Sequence, residues 1–228
     1  MEPSSPSGRT VGVLLLTQLA GLIVPFVMLL PLTPAGFLET AAASSVQLKA
    51  AIALLLLNGA LTIGISLVLW PLLRRYSEAG ALLLIVASAS MFILQAVDNA
   101  HLLSMLSLSQ QFAQDGGHGE FLAATAAAVR STRRWVHYAT LCCIDAWLMA
   151  LYVVLYRFAL VPRALALFGA ATVVLHFTGM ILPFYLGYPG VTVMGASMAV
   201  SQLTLVIWLM TKGFRSTRTV APLSPAGA

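Results

Sequence analysis

Residues 50–73 form the uncharged run AAIALLLLNGALTIGISLVLWPLL, and the basic pair Arg74-Arg75 follows it directly. The hydrocarbon core of a bilayer is about 30 Å thick, and a helix of about 20 apolar residues crosses it. Arginine side chains are favoured where such a helix leaves the hydrocarbon. The run therefore predicts a membrane-spanning helix that ends at a membrane surface.

Further runs of the same character lie on both sides of this one. Together with residues 50–73 they predict an all-α membrane protein, a bundle of six transmembrane helices. Pro25 and Pro183 are expected to kink the first and fifth of these helices. The five additional predicted spans are residues 11–32, 81–108, 135–160, 164–188 and 191–211.

The composition agrees with this architecture. Of 228 residues, 60% are hydrophobic and 8% are charged, whereas about a quarter of the residues of a soluble domain are charged. Most of the protein surface is therefore expected to face lipid. The six spans occupy residues 11–212 as one transmembrane domain, which leaves no room for a soluble domain. The function is expected to reside in the helix bundle or in its short loops.

The orientation is predicted from the lysine and arginine residues, which are enriched in cytoplasmic loops. With both termini in the cytoplasm, eight of the twelve basic residues lie inside and four lie outside. The outer four include a cluster that opposes this orientation. Both termini are nevertheless predicted to be cytoplasmic. The outer four are Lys49, Arg130, Arg133 and Arg134.

Three segments are expected to lie outside the spans. Residues 1–10 form a cytoplasmic N-terminal tail, and residues 213–228 form a disordered cytoplasmic tail rich in proline, serine and alanine. Residues 109–134 form an outer loop. Its second half, EFLAATAAAVRSTRRW, is typical of an amphipathic helix on the membrane surface.

The turn between the fourth and fifth spans carries a family resemblance. Residues 155–169, LYRFALVPRALALFG, contain a tyrosine and a basic residue at a helix end, a Val-Pro-Arg turn and a helix start that ends in glycine. This pattern resembles the hallmark turn of the DUF4386 family of bacterial integral membrane proteins. Residues 73–78, LRRYSE, resemble the second turn of that family. The resemblance implies a six-helix fold in the bacterial cytoplasmic membrane and no particular activity, because the family's function is unknown.

The third span departs from the family pattern. Many members of the family that the chain resembles carry an arginine and a glutamate early in this helix. The corresponding residues 87–98 are ASASMFILQAVD here.

Ionisable residues inside the spans are the candidates for a functional site. An intramembrane carboxylate is costly unless it is paired or protonated, and such residues are usually functional. Asp98 in the third span, Asp145 in the fourth and His176 in the fifth are predicted to lie at a similar depth. His101 shares a helix face with Asp98, and His137 lies two turns from Asp145. We predict a polar pocket lined by these five residues, which Gln95, Asn99, Thr178, Ser201 and Gln202 could join.

Three interpretations of this pocket remain open from the sequence. Imidazole and carboxylate groups are suitable ligands for a divalent metal such as zinc, although no HxxxH or HExxH pair is present. An Asp–His set is also suited to proton relay or acid–base chemistry. Alternatively, the polar groups form hydrogen bonds between helices and fix their packing.

Three functional classes are compatible with the sequence, of which a purely structural or regulatory subunit is the third. The leading hypothesis is a bundle whose pocket binds or moves an ion, a lipid or a small hydrophobic molecule. The alternative is an intramembrane enzyme that acts on a lipid or isoprenoid by acid–base or metal-assisted chemistry. Membrane lipids are the expected partners, and no basic patch for nucleic acid is present because the basic residues lie mostly at helix ends. The sequence leaves the oligomeric state open.

Overall fold

The structure, a computed structural model, describes residues 8–30, 36–115 and 119–215. The predicted terminal tails therefore fall mostly outside the described residues. Within these residues the chain is helical, and it contains no strand. The helices are α1 (Gly8–Leu29), α2 (Phe37–Thr40), α3 (Ser45–Leu73), α4 (Glu78–Gln114), α5 (Glu120–Arg157), α6 (Arg163–His176), α7 (Leu182–Leu186) and α8 (Thr192–Lys212). A π-helical segment, Phe177–Ile181, joins α6 to α7.

Six of the described helices are long and apolar enough to cross a membrane, with α6, the π-helical segment and α7 counted as one span, Arg163–Leu186. This confirms the predicted all-α, six-span architecture. The protein is therefore a multi-pass membrane protein. Its orientation in the membrane stays a prediction.

The six spans form a closed ring. Each long helix packs against the next along the chain, and α8 closes the ring by packing against both α1 and α6. The turn at Arg74-Arg75 and the turn at Val161-Pro162-Arg163 lie side by side, since the rings of Tyr76 and Phe158 are 5.1 Å apart. We call this end of the bundle the turn end. The opposite end, which carries α2, is the α2 end.

The helices α4 and α5 are much longer than predicted. At about 1.5 Å per residue, the 38 residues of α5 span about 57 Å, nearly twice the thickness of the hydrocarbon core. The predicted outer loop, residues 109–134, is thus mostly helical, and its second half continues directly into the fourth span. The second half of this segment is helical, and its predicted position on the membrane surface stays a prediction.

Local composition and packing explain these long helices. The start of α5 is rich in alanine, the strongest helix former. At the α2 end, α4 packs against α2 and α3 in a separate apolar cluster, to which Val129 of α5 adds a partly buried side chain. Val129 therefore places this part of α5 in contact with the cluster. The cluster includes Leu29, Phe37, Ala41, Leu48, Leu102 and Leu106.

The larger apolar cluster fills the bundle toward the turn end and draws side chains from all six spans. Within it, Tyr152 of α5 is fully buried, and its hydroxyl lies 3.4 Å from Ser201 Oγ of α8. The ring of Tyr152 packs on the backbone at Gly169 of α6, where a Cβ atom would overlap it. The close approach of α5 and α6 therefore requires glycine at position 169.

Replacing Gly169 with valine is expected to separate α5 from α6 and lower the free energy of unfolding by about 1–3 kcal/mol, the usual cost of overpacking. Thermal unfolding in detergent, followed by tryptophan fluorescence, would show a lower midpoint. Gly64→Ala is the matched control, because a Cβ at Gly64 meets no atom within 4 Å. An unchanged midpoint in Gly169→Val would contradict the assigned contact.

Candidate functional site

The first charged site joins α5 to α6 inside the bundle. His176 Nδ1 lies 2.8 Å from Asp145 Oδ1 and 3.0 Å from Oδ2, and both residues are buried. The imidazole thus contacts both carboxylate oxygens at once. A contact of this kind offsets part of the cost of placing a carboxylate away from water.

The π-helical segment directly follows His176 and has an identifiable cause. Pro183 lacks an N–H group, so the carbonyl of Gly179, four residues earlier, receives no helical hydrogen bond from it. Val191 N–H donates to that carbonyl instead, over 2.7 Å. Gly179 also lies close against α8, since a Cβ there would meet Met194. The span that contains Pro183 therefore stays continuous but includes a π-helical turn, and turns of this type are frequent at functional sites.

The second charged site joins α4 to α5 nearer the α2 end. Asp98 is 2% exposed. Its Oδ1 lies 3.0 Å from Arg133 Nε, and its Oδ2 lies 3.3 Å from His137 Nδ1. The Arg133 N–H is not aligned on Oδ1, so this contact is an ion pair without a linear hydrogen bond. Asp98 is thus held by two side chains of α5.

Four of the five predicted pocket residues are divided between these two sites, and His101 belongs to neither. His137 pairs with Asp98, and it lies eight residues before Asp145, which is about 12 Å along α5. The Nδ1 atom of His101 contacts the Val97 carbonyl of its own helix at 2.8 Å. No contact between His101 and Asp98 occurs among the described residues. The structure therefore describes two paired sites at different depths.

Sequence reasoning missed Arg133 as the principal partner of Asp98. A signal was available in α5, where Arg130, Arg133, Arg134 and His137 follow the spacing i, i+3, i+4, i+7 of a single helix face. The arginines were assigned to topology alone, which hid this pattern.

The metal interpretation finds no geometric support in the part of the chain that the structure describes. Those residues include no group of three or more His, Cys, Asp or Glu side chains arranged to hold a metal ion. The pair Asp145–His176 offers only two such side chains. Cys142 and Cys143 are free thiols.

Other polar side chains connect the spans by hydrogen bonds. Thr172 Oγ1 and Ser201 Oγ are 2.7 Å apart, and Trp147 Nε1 donates to Ser66 Oγ over 2.9 Å. A cavity of about 20 Å³ lies between Gln18, Asn58, Gln95 and Gln202, of which the sequence analysis had missed the first two. A space of this size accommodates one water molecule. These groups fix helix packing, as the third interpretation proposed.

A cavity large enough for a ligand adjoins the second charged site. It measures about 340 Å³ and opens between the end of α1 and the middle of α5. One wall is basic and the other is apolar. We call it the α1–α5 groove, and its lining is Phe26, Leu29, Leu30, Arg130, Arg133, Arg134 and His137.

The fold and these sites define a helical multi-pass membrane protein in which two buried aspartates are held by side chains of neighbouring helices. The chain belongs to the DUF4386 family, a domain of unknown function whose family model matches residues 10–213. No curated protein and no solved structure shows significant similarity to it.

The Asp145–His176 pair makes a measurable prediction. Replacing Asp145 with leucine leaves the buried imidazole of His176 without its hydrogen-bond partner, and this is expected to cost about 1–3 kcal/mol of the free energy of unfolding. The double variant Asp145→Leu/His176→Leu is expected to be more stable than either single variant. Thermal unfolding in detergent would measure both effects.

Asp115→Leu serves as the control, because Asp115 is exposed and forms no ion pair in the described structure. Losses that simply add in the double variant would contradict energetic coupling between the two side chains.

Proposed function

We propose that the protein binds an amphiphile with an acidic headgroup in the α1–α5 groove. The single observation that carries this proposal is the pairing of an arginine-rich wall with an apolar wall around one cavity. Of the ligands predicted for the polar pocket, the proposal selects a lipid. The groove shares one residue, His137, with that predicted pocket. Its headgroup contacts would come from Arg130, Arg133, Arg134 and His137.

The charge balance of the groove favours an anion. Three guanidinium groups line it, and Asp98 compensates that of Arg133. In the described structure no carboxylate pairs with Arg130 or Arg134. The guanidinium of Arg134 lies 4.8 Å from the centre of the Phe184 ring, which restrains it. Two cationic groups are therefore available for a phosphate or carboxylate, which guanidinium binds through paired N–H donors.

The apolar wall suits a hydrocarbon chain. Phe26 is 61% exposed and Leu30 is 51% exposed in the bundle, so both offer apolar surface beside the arginines. A lipid could enter sideways from the bilayer and place its chain on α1 while its headgroup meets α5. Basic pockets between transmembrane helices are known to bind acidic lipid headgroups.

The lining also favours binding over catalysis. Among the described residues, it contains no serine, cysteine or carboxylate that could act as a nucleophile or general acid. Asp98 does not line the groove, and its carboxylate is held by two residues that do, Arg133 and His137. The enzyme hypothesis therefore receives less support at this site than the binding hypothesis.

The ligand class is tested with a photoreactive phosphatidic acid in nanodiscs, with crosslinks mapped by peptide mass spectrometry. Wild-type protein is expected to be labelled on residues 130–137. Because a hydrogen bond to a charged group contributes about 1.5–3 kcal/mol, Arg130→Gln/Arg134→Gln should reduce this labelling by about tenfold or more.

Lys49→Gln is the control, because Lys49 is a cation that does not line the groove. Unlabelled phosphatidic acid should compete for the labelling and phosphatidylcholine should not. Equal competition by both lipids, or unchanged labelling of the double arginine variant, would sink the proposal.

We further infer that the protein lies in a bacterial cytoplasmic membrane with both termini inside, which would open the α1–α5 groove toward the outer leaflet. The excess of basic residues at the turn end supports this orientation. Green fluorescent protein fused after residue 228 is expected to fluoresce, since it folds in the cytoplasm. High activity of alkaline phosphatase fused at the same position would reverse the orientation.

A further inference from the structure

A second ligand-sized cavity lies at the turn end, between α5 and α6. It measures about 470 Å³ and adjoins the Val161-Pro162-Arg163 turn. We call it the α5–α6 groove. The residues that matter here are Tyr156, Arg157, Arg163, Ala166, Leu167 and Ala170.

Two facing helix stripes build this groove. The α6 residues 163, 166, 167 and 170 follow the spacing of one helix face, and so do the α5 residues 152, 153, 156 and 157. Ala166 and Ala170 are small, so they leave space between the two helices. Leu167 is 60% exposed and adds apolar surface at the opening. The groove is therefore apolar along its length and basic at its end.

Two arginines on different helices flank the basic end. The guanidinium of Arg163 lies 5.8 Å from the centre of the Tyr156 ring, and that of Arg157 lies 5.7 Å from the centre of the Phe158 ring. Neither arginine is paired with a carboxylate in the described part of the chain. The aromatic rings restrain the guanidinium groups, and their N–H donors remain available to an anion.

The turn itself fixes this arrangement. The backbone N–H of Arg215 donates to the carbonyl of Leu160 over 2.8 Å, which ties the end of α8 to the turn. Leu160 and Val161 are buried in the main core, and Pro162 is the N-cap of α6. The two arginines therefore project from a firmly anchored turn. The same residues, Tyr156, Arg157 and the Val-Pro-Arg turn, carry the family resemblance.

We propose that the α5–α6 groove binds an anionic phospholipid from the leaflet at the turn end. The phosphate lies between Arg157 and Arg163, and an acyl chain follows Ala166, Leu167 and Ala170 toward the bilayer centre. Charge complementarity supports this occupant, since the described lining of the groove includes two guanidinium groups and no acidic side chain. The site is separate from the α1–α5 groove and does not depend on it.

The test uses photoreactive phosphatidylglycerol in nanodiscs, with crosslinks mapped to residues 152–170. Labelling is expected in wild-type protein and should fall at least fivefold in Arg157→Gln/Arg163→Gln. Arg215→Gln is the matched control, because Arg215 lies at the same end with its guanidinium 5.7 Å from the Trp208 ring but outside the groove. Labelling of residues 130–137 should not change, which separates this site from the first.

The charge-conserving variant Arg157→Lys/Arg163→Lys tests the same contact if the glutamine variant does not fold. It should retain part of the labelling, because lysine keeps the charge and loses the paired N–H donors. Undiminished labelling in both double variants would overturn the proposal. So would complete protection by millimolar inorganic phosphate in detergent, which would indicate a site for a soluble anion.

Discussion

The absence of water from the bilayer interior is the constraint on which this structure depends. Every backbone N–H and C=O group must be satisfied within the protein, and a helix does this within one segment. The same constraint acts on side chains. Asp145 is held by His176 through both carboxylate oxygens, and Asp98 is held by Arg133 and His137. The helical fold and the paired aspartates thus have one physical origin.

The helix α5 connects nearly all the features of interest. It contributes Arg133 and His137 to one ion-paired site and Asp145 to the other, and it lines both grooves. Its position in the ring between α4 and α6 makes this possible, because partners approach it from both sides. Its length of 38 residues separates the sites along the bundle axis. A single long helix can therefore present chemically distinct surfaces at different depths.

The bundle interior and the bundle surface differ in the size of their cavities. Between Gln18, Asn58, Gln95 and Gln202 there is space for only one water molecule. The two larger grooves lie at the surface of the bundle instead. Each is lined by arginines and by apolar side chains. This arrangement suits amphiphilic ligands that already reside in the membrane, because they can reach both grooves without crossing the protein core.

The sequence alone determined the helical class, the number of spans and the ionisable residues that need partners. Each of these follows from local composition, since an apolar run of sufficient length crosses a bilayer whatever its neighbours are. The start of α5 was not predicted from the sequence. The sequence predicts a surface helix in residues 120–134, and the structure joins this helix directly to the fourth span, with Val129 packed on side chains of α1 to α4.

Only the tertiary structure decided which charged groups meet. The pairing of Asp98 with Arg133 requires the register of α4 against α5, and the pairing of Asp145 with His176 requires the rotation of α6 about its axis. Neither quantity is encoded in hydropathy. Both depend on close contacts such as that of Gly169 with Tyr152 and on the π-helical turn before Pro183 in the fifth span. Partners depend on angles and offsets between helices, and these emerge only when all six spans pack together.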